Sequence, residues 1–192
     1  GNITLNTTGV SGYGTQMVSG SLVAHGSISF TSTGGLEGAY IYGTGLFKAN
    51  GDITINARSN TTTNWAYYQD SSRTVQTTAG NLDITANGGF GIYINGGGLV
   101  AGNHLTAPTA GGSINIRSTT TGSNADGAGL RMDTAGNAIL AYGDVSIYAN
   151  AASAGINGSA GNGHGVFICG SNQNIRSFNG NLSITGYANR WV

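Results

Sequence analysis

The chain of 192 residues has one cysteine, one proline and only 7% charged residues. Each scarcity excludes something. A single Cys169 rules out an internal disulfide framework. No Lys, Arg or acid flanks it in sequence to lower its pKa, so a reactive thiol is not expected. No apolar run reaches about 18 residues, so no transmembrane helix is predicted. Seven Lys+Arg balance seven Asp+Glu and form no basic run. Nucleic acid and anionic membrane surfaces are therefore poor partners. Good helix formers such as Glu and Lys are scarce, and 35 glycines weaken any long helix. Disorder is also not expected, because the chain is rich in Ile, Val, Thr and Tyr.

What the sequence has is one phrase, repeated. "GNITLNT" begins at Gly1, "GSISFTS" at Gly26, "GDITINA" at Gly51 and "GNLDITA" at Gly80. "GSINIRS" follows at Gly112, "GDVSIYA" at Gly143 and "GNLSITG" at Gly180. Counting from each leading Gly, position +2 is Ile3, Ile28, Ile53, Leu82, Ile114, Val145 and Leu182. Position +4 is Leu5, Phe30, Ile55, Ile84, Ile116, Ile147 and Ile184. Position +6 is always small, which predicts a tight corner there. The intervening offsets are polar, with Tyr148 the main exception. This period-two alternation turns one face inward and one to solvent.

The phrases are 25, 25, 29, 32, 31 and 37 residues apart, a solenoid spacing. Each period holds two more strand-like segments. One follows a Gly, as in "GAYIYG" from Gly38 and "GIYING" from Gly91; the other leads into the next phrase, as in "GLFKAN" before Gly51. The prediction is an all-β, right-handed parallel β-helix with three short strands per turn and about seven turns. At one strand spacing per turn it forms a rod roughly 30–35 Å long. Insertions belong at corners: "AGNHLTAPTAG", with the only proline, and "STTTGSNADGAG" are read as loops. A two-sheet sandwich is the alternative, but it needs hairpin turns and not seven copies of one phrase. Residues 1–192 are taken as one β-helical segment, expected to continue in both directions within a larger exoprotein.

The G-[ND]-[IL]-[TS]-[IL]-x-A phrase with Gly/Asn/Ser corners resembles the repeat body of filamentous-haemagglutinin-like exoproteins and high-molecular-weight adhesins. It resembles them as a repeat style over the whole chain. The family's amino-terminal secretion domain, with its Asn-Pro motifs, is not visible, since Pro108 follows Ala107. Autotransporter passengers share the style. The resemblance implies a secreted or surface-bound bacterial protein exported with an outer-membrane secretion partner. It implies adhesion to a host-cell receptor or glycan, with no enzymatic activity. The alternatives are a stalk in a toxin-delivery or cytolytic exoprotein, and a carbohydrate-active β-helix enzyme.

The chemistry-bearing residues offer little to an enzyme. Asp52 and Asp83 lie on adjacent turns, but nothing aromatic or basic joins them, and both suit solvent-facing strand positions. Asp126 and Asp133 flank Arg131 and read as a local charge group. His25, His104 and His164 are scattered beside Gly or Asn, so no metal or other cofactor is expected. Five N-x-[ST] sequons occur. Asn2 and Asn181 belong to the repeat phrase, whereas Asn60 and Asn157 fall in corners and are the glycosylation candidates.

The second strands carry the most information. Aligned on their leading Gly, with Trp65 standing in for it in "WAYYQ", they place Ala66 and Tyr68 inward. The outward column then reads Gln16, Tyr40, Tyr67, Tyr93, Arg131 and Phe167, and a second reads Tyr42, Gln69, Asn95, Asp133 and Cys169. Only 8% of the chain is aromatic, so five consecutive aromatic or Arg positions are not chance. Either the rings stabilise the sheet by stacking, or Tyr40, Tyr67, Tyr93, Arg131 and Phe167 form a ligand-binding strip suited to sugar rings or a partner protein.

Overall fold

A computed structural model describes residues 1–70, 72–122, 127–151 and 163–188. The chain is a parallel β-helix built from three parallel sheets. The first sheet has seven strands, all from the repeated phrase. They are β1 (Ile3–Thr8), β4 (Ile28–Gly34), β7 (Ile53–Ser59), β10 (Leu82–Gly88), β13 (Ile114–Thr120), β16 (Val145–Ala151) and β19 (Leu182–Ala188). The second has six: β2 (Thr15–Val18), β5 (Ala39–Tyr42), β8 (Trp65–Asp70), β11 (Phe90–Asn95), β14 (Ala128–Met132) and β17 (His164–Ile168). The third also has six: β3 (Leu22–Ala24), β6 (Phe47–Ala49), β9 (Thr74–Thr77), β12 (Gly98–Ala101), β15 (Ala138–Ala141) and β18 (Asn174–Ser177).

Register in the first sheet follows the phrase without a slip. Ile3 pairs with Ile28, Ile28 with Ile53, Leu82 with both Ile53 and Ile114, and Val145 with both Ile114 and Leu182. The inward columns stack into the core. Ile53, Ile55, Leu82, Ile114 and Val145 are wholly buried, as are Ile92 and Ile94 from the second sheet and Val75, Leu99 and Ile139 from the third. Each such side chain contributes about 1.5–3 kcal/mol on leaving water.

The expected corner at +6 is displaced. The first-sheet strands run on to +8, for example to Gly34, Ser59 and Gly88. Position +6 is small because the second sheet's backbone passes close to it. Ser32 Oγ donates to the Gly38 carbonyl at 2.5 Å, and Ser118 Oγ to the Gly129 carbonyl at 2.7 Å. The loop holding Pro108 lies, as expected, between a third-sheet strand and the next phrase.

The dipeptide that opens every phrase has its own explanation. The +1 side chain of one turn accepts a hydrogen bond from the +1 backbone N–H of the next. Ser27 N donates to Asn2 Oδ1 (2.9 Å), Asp52 N to Ser27 Oγ (3.1 Å) and Asn81 N to Asp52 Oδ1 (2.7 Å). Ser113 N donates to Asn81 Oδ1 (2.9 Å), Asp144 N to Ser113 Oγ (3.0 Å) and Asn181 N to Asp144 Oδ1 (2.7 Å). The ladder joins all seven turns. It also explains the glycine before it. A Cβ on Gly26 would lie 2.0 Å from Asn2 Oδ1, and one on Gly80 would meet the Asp52 backbone N at 2.4 Å and its Oδ1 at 2.6 Å. Small capping side chains and a missing Cβ are one device.

Replacing Gly80 by Ala therefore forces backbone against backbone and should destabilise by about 1–3 kcal/mol. Gly12 has nothing within 4 Å of an added Cβ. There Ala should be neutral or stabilise by up to about 1 kcal/mol, through the unfolded chain. Urea midpoints of the two variants would check the contrast; equal effects would sink the ladder account.

Candidate functional site: an aromatic ribbon on the second sheet

The outer face of the second sheet carries a continuous row of rings. Tyr13 stacks on Tyr40, centroids 5.2 Å apart, and Tyr40 on Tyr42 at 4.7 Å. Tyr68 meets Tyr40 and Tyr93 edge-on, each at 5.0 Å. Trp65 lies 5.0 Å from both Phe90 and Tyr93. The row ends with Arg131, its guanidinium 5.3 Å from the Tyr93 ring and 5.4 Å from Phe167, and with His164 4.8 Å from Phe167. All these side chains are half-buried. The parallel ladder sets this arrangement, because rings in one column of neighbouring strands sit one strand spacing apart.

Tyr40, Tyr93, Arg131 and Phe167 occupy the outward column expected of them. Tyr67 does not. Ala39 and Ile92 both pair with Tyr67, whereas Tyr40 and Tyr93 pair with Tyr68. Tyr67 and Gln69 point inward and are wholly buried, and Tyr68 and Asp70 take the outward sites.

The physical reason is twofold. Ala66, not Trp65, stands in the column of Gly38 and Gly91, where there is no room: a Cβ on Gly91 would meet Ser118 Oγ at 1.9 Å. A Trp cannot enter it. The buried polar atoms are also paired. Tyr67 Oη donates to Gln69 Oε1 at 2.7 Å, and Gln69 Nε2 donates to the carbonyls of Arg73 (2.7 Å) and Gly98 (3.2 Å). Satisfied in this way, two polar side chains can sit in an apolar core. The smallness of the glycine column was the signal that identifies Ala66 as its member.

Beside the rings lies a polar network. Asn95 Nδ2 donates to Tyr68 Oη (3.2 Å) and Asp70 Oδ1 (3.1 Å), and Thr134 Oγ1 donates to Asn95 Oδ1. Tyr93 Oη donates to Asp133 Oδ1 at 2.7 Å. Arg131 holds the other oxygen of Asp133 through Nε (2.7 Å) and Nη2 (2.6 Å). Sequence reasoning missed Tyr13, Trp65, Tyr68, Asp70 and Phe90. Trp65 and Phe90 face each other at the start of neighbouring strands, before the alternation sets in.

Burial pushes the Tyr40 phenol up to about 12, with the Tyr68 and Asp70 charges adding to the rise. Tyr68 and Tyr93 are raised in the same direction, first by burial. These three phenols are thus neutral at any physiological pH.

The remaining candidates lie elsewhere. Asn60 is in an exposed corner after β7, and Asn157 lies outside the described residues. Asp52 belongs to the corner ladder, and Asp83 accepts from Asn115 Nδ2 at 2.7 Å on the first sheet's outer face. Asp126 is outside the described residues, so of the two acids flanking Arg131 only Asp133 is placed. Cys169 is exposed beyond the end of β17. Among the described residues no three His, Cys, Asp or Glu side chains gather as metal ligands. Comparison with protein-family models, curated proteins and solved structures finds no match to this chain.

Two predictions separate Tyr67 from its neighbour. Tyr67→Ser removes a fully buried ring and should cost about 3–5 kcal/mol in urea unfolding. Tyr68→Ser removes stacking at the surface and should cost about 1 kcal/mol.

A third prediction concerns alkaline pH. Burial, opposed by nearby Arg73, raises the Tyr67 pKa far above its usual 10.0. The folded chain keeps this proton while the unfolded chain loses it. Stability is therefore full below about pH 10 and falls above it, by about 1.4 kcal/mol per pH unit from this group alone. Tyr67→Phe should show a slope shallower by that amount between about pH 10 and pH 12.

Proposed function

We propose that this chain is part of the shaft of a secreted or surface-bound bacterial adhesin of the filamentous-haemagglutinin-like kind, and that the ribbon on its second sheet attaches to host-cell glycans. The observation that carries the reading is the ribbon: half-exposed rings run without a break along one face of a rigid β-helix, beside fixed hydrogen-bonding groups. Sugar rings present C–H faces that stack on aromatic rings and hydroxyls that need donors and acceptors at their edges. Tyr40, Tyr68 and Tyr93 supply the first. Asp70, Asn95, Asp133 and Thr134 supply the second. Because the core below is packed, the surface is ordered before a ligand arrives, which lowers the entropic cost of binding. The repeat style supports export with an outer-membrane secretion partner.

A second reading is a spacer that binds nothing itself. It is favoured by one observation: the rings stack on one another from turn to turn, and the Tyr93 and Tyr68 hydroxyls already have partners.

Binding of the chain to host cells and an immobilised glycan panel distinguishes the two. A Tyr40→Ser, Tyr68→Ser, Tyr93→Ser variant, with β-structure verified by circular dichroism, should lose at least about tenfold in affinity, since each stacked ring is worth about 1 kcal/mol. Undiminished binding by the folded variant would move the adhesive site off this face. A wild-type chain that binds nothing on the panel would establish the spacer.

A further inference from the structure

The first sheet carries its charges unevenly along its strands. Asp52, Asp83 and Asp144 stand at or just before the start of β7, β10 and β16. Arg58 and Arg117 stand toward the ends of β7 and β13. Asp52 and Arg58 lie at opposite ends of one strand, roughly 20 Å apart along the backbone, and Asp83 is roughly 14 Å from Arg58. Both separations exceed the Debye length of about 8 Å at physiological salt. Glu37 is nearer along the backbone, since Gly38 packs against the backbone of Arg58. Its charge acts on Tyr68 instead, and burial, opposed by its own backbone, raises its carboxyl without a contribution from Arg58. Among the described residues no acid pairs with Arg58.

The corners that follow these strands differ in length. Residues 60–64 join β7 to β8, residue 89 alone joins β10 to β11, and residues 121–127 join β13 to β14. The fourth turn is thus recessed between two longer corners. These meet over it: a Cβ on Gly122 would lie 2.2 Å from the Thr62 carbonyl oxygen and 2.7 Å from that of Gly89. At this junction is an open cleft of about 400 Å³, lined by Arg58, Ser59, Asn60, Asn87 and Thr121. Arg58 and Asn87 are register partners, so they stand side by side on the sheet, with Asn60 and Thr121 added from the corners on either side. Ser59 Oγ is occupied, donating to the Leu36 carbonyl at 2.6 Å. The Arg58 guanidinium, the Asn60 and Asn87 amides and the Thr121 hydroxyl have no hydrogen-bond or ion-pair partner among the described residues. Four polar groups thus converge on one cleft with their hydrogen-bonding capacity unused.

We infer that this cleft binds a uronic-acid glycan, with Arg58 on the sugar's carboxylate and Asn60, Asn87 and Thr121 on ring hydroxyls. The site is separate from the ribbon and stands whether or not the ribbon binds sugar. A guanidinium presents parallel N–H donors that match a planar carboxylate. Amides and a hydroxyl both donate and accept, as sugar hydroxyls require. No aromatic ring lines the cleft, so polar contacts and not stacking hold the ligand. A uronic-acid chain repeats its carboxylate at every ring, which gives one weak site many ways to be filled. A densely sulfated chain needs several cations to neutralise it, and the cleft offers one. Arg117, on the next strand and paired in register with Thr85, adds positive charge to the same end of the face while its guanidinium lies over Tyr148.

Titration of the chain, with Asn60 unmodified, by oligogalacturonate tests this, followed by amide NMR. The side-chain amide signals of Asn60 and Asn87 should move, and affinity should fall as salt is raised. Arg58→Gln should weaken binding about tenfold, and Arg58→Lys, which keeps the charge but not the fork, should fall between. Both variants should fold as the parent does, because Arg58 is exposed and unpaired. Neutral galactan oligomers of equal length should bind about tenfold more weakly than oligogalacturonate. The Tyr40→Ser, Tyr68→Ser, Tyr93→Ser variant should bind oligogalacturonate undiminished, which separates this site from the ribbon. Parental affinity in Arg58→Gln, or equal affinity for the neutral oligomer, overturns the inference. So does tighter binding of sialyllactose or heparin, loss of uronate binding in the folded tyrosine variant, or no uronate binding at all.

Discussion

Each turn of this molecule is locked to the next by a side chain that reaches across the gap at one corner. The Asn, Asp or Ser after each leading Gly accepts the backbone N–H of its own counterpart one turn on, from Asn2 through to Asn181. The reach is possible because the next turn's glycine has no Cβ in the way. In a parallel sheet the backbone hydrogen bonds alone tolerate a slip by one residue, but a slip turns every inward side chain outward. The corner ladder removes that freedom at each of the six steps between turns. The first sheet's apolar columns, Ile53 on Ile28 and Leu82 on Ile53, follow from it.

The ladder at one corner does not by itself fix the register at the others. Between the first and second sheets the turns differ in length, and a second constraint takes over. The column of Gly38, Gly91 and Gly129 passes so close to its neighbours that an added Cβ would clash at each of these glycines, and large side chains are kept out of it. In the third turn this requirement selects Ala66, which sends Tyr67 into the core and Tyr68 to the surface. The cost of burying Tyr67 is offset by Gln69, whose amide in turn satisfies carbonyls at the next corner. Packing space and polar pairing together outweigh the preference of a phenol for the surface.

The same repetition that builds the core builds the outer face. Side chains in one column recur at the strand spacing, so a preference for aromatic residues in one column becomes a ribbon. Its polar groups are mostly paired with one another, which orders them. Shape and order thus belong to one surface, while the first sheet's outer face stays mixed and mostly hydroxylic. That asymmetry is what makes the second sheet the candidate for recognition.

The sequence by itself determined the solenoid. Seven copies of one phrase fix the number of turns, the inward columns of the first sheet and the places where loops are inserted, because periodicity is a local property of the chain. It also placed Tyr40, Tyr93, Arg131 and Phe167 in one column. Only the tertiary structure decided the third turn. "WAYYQD" contains no glycine and two adjacent tyrosines, so alternation alone permits either register. The choice was made by the lack of space in the glycine column, shown by Gly91 against Ser118, and by the hydrogen bonds open to Tyr67 and Gln69, which include the Gly98 carbonyl one turn on. The corner ladder was hidden for the same reason. A Gly-Asn dipeptide reads as a turn within its own segment, and its partner is an N–H some 25 to 37 residues away.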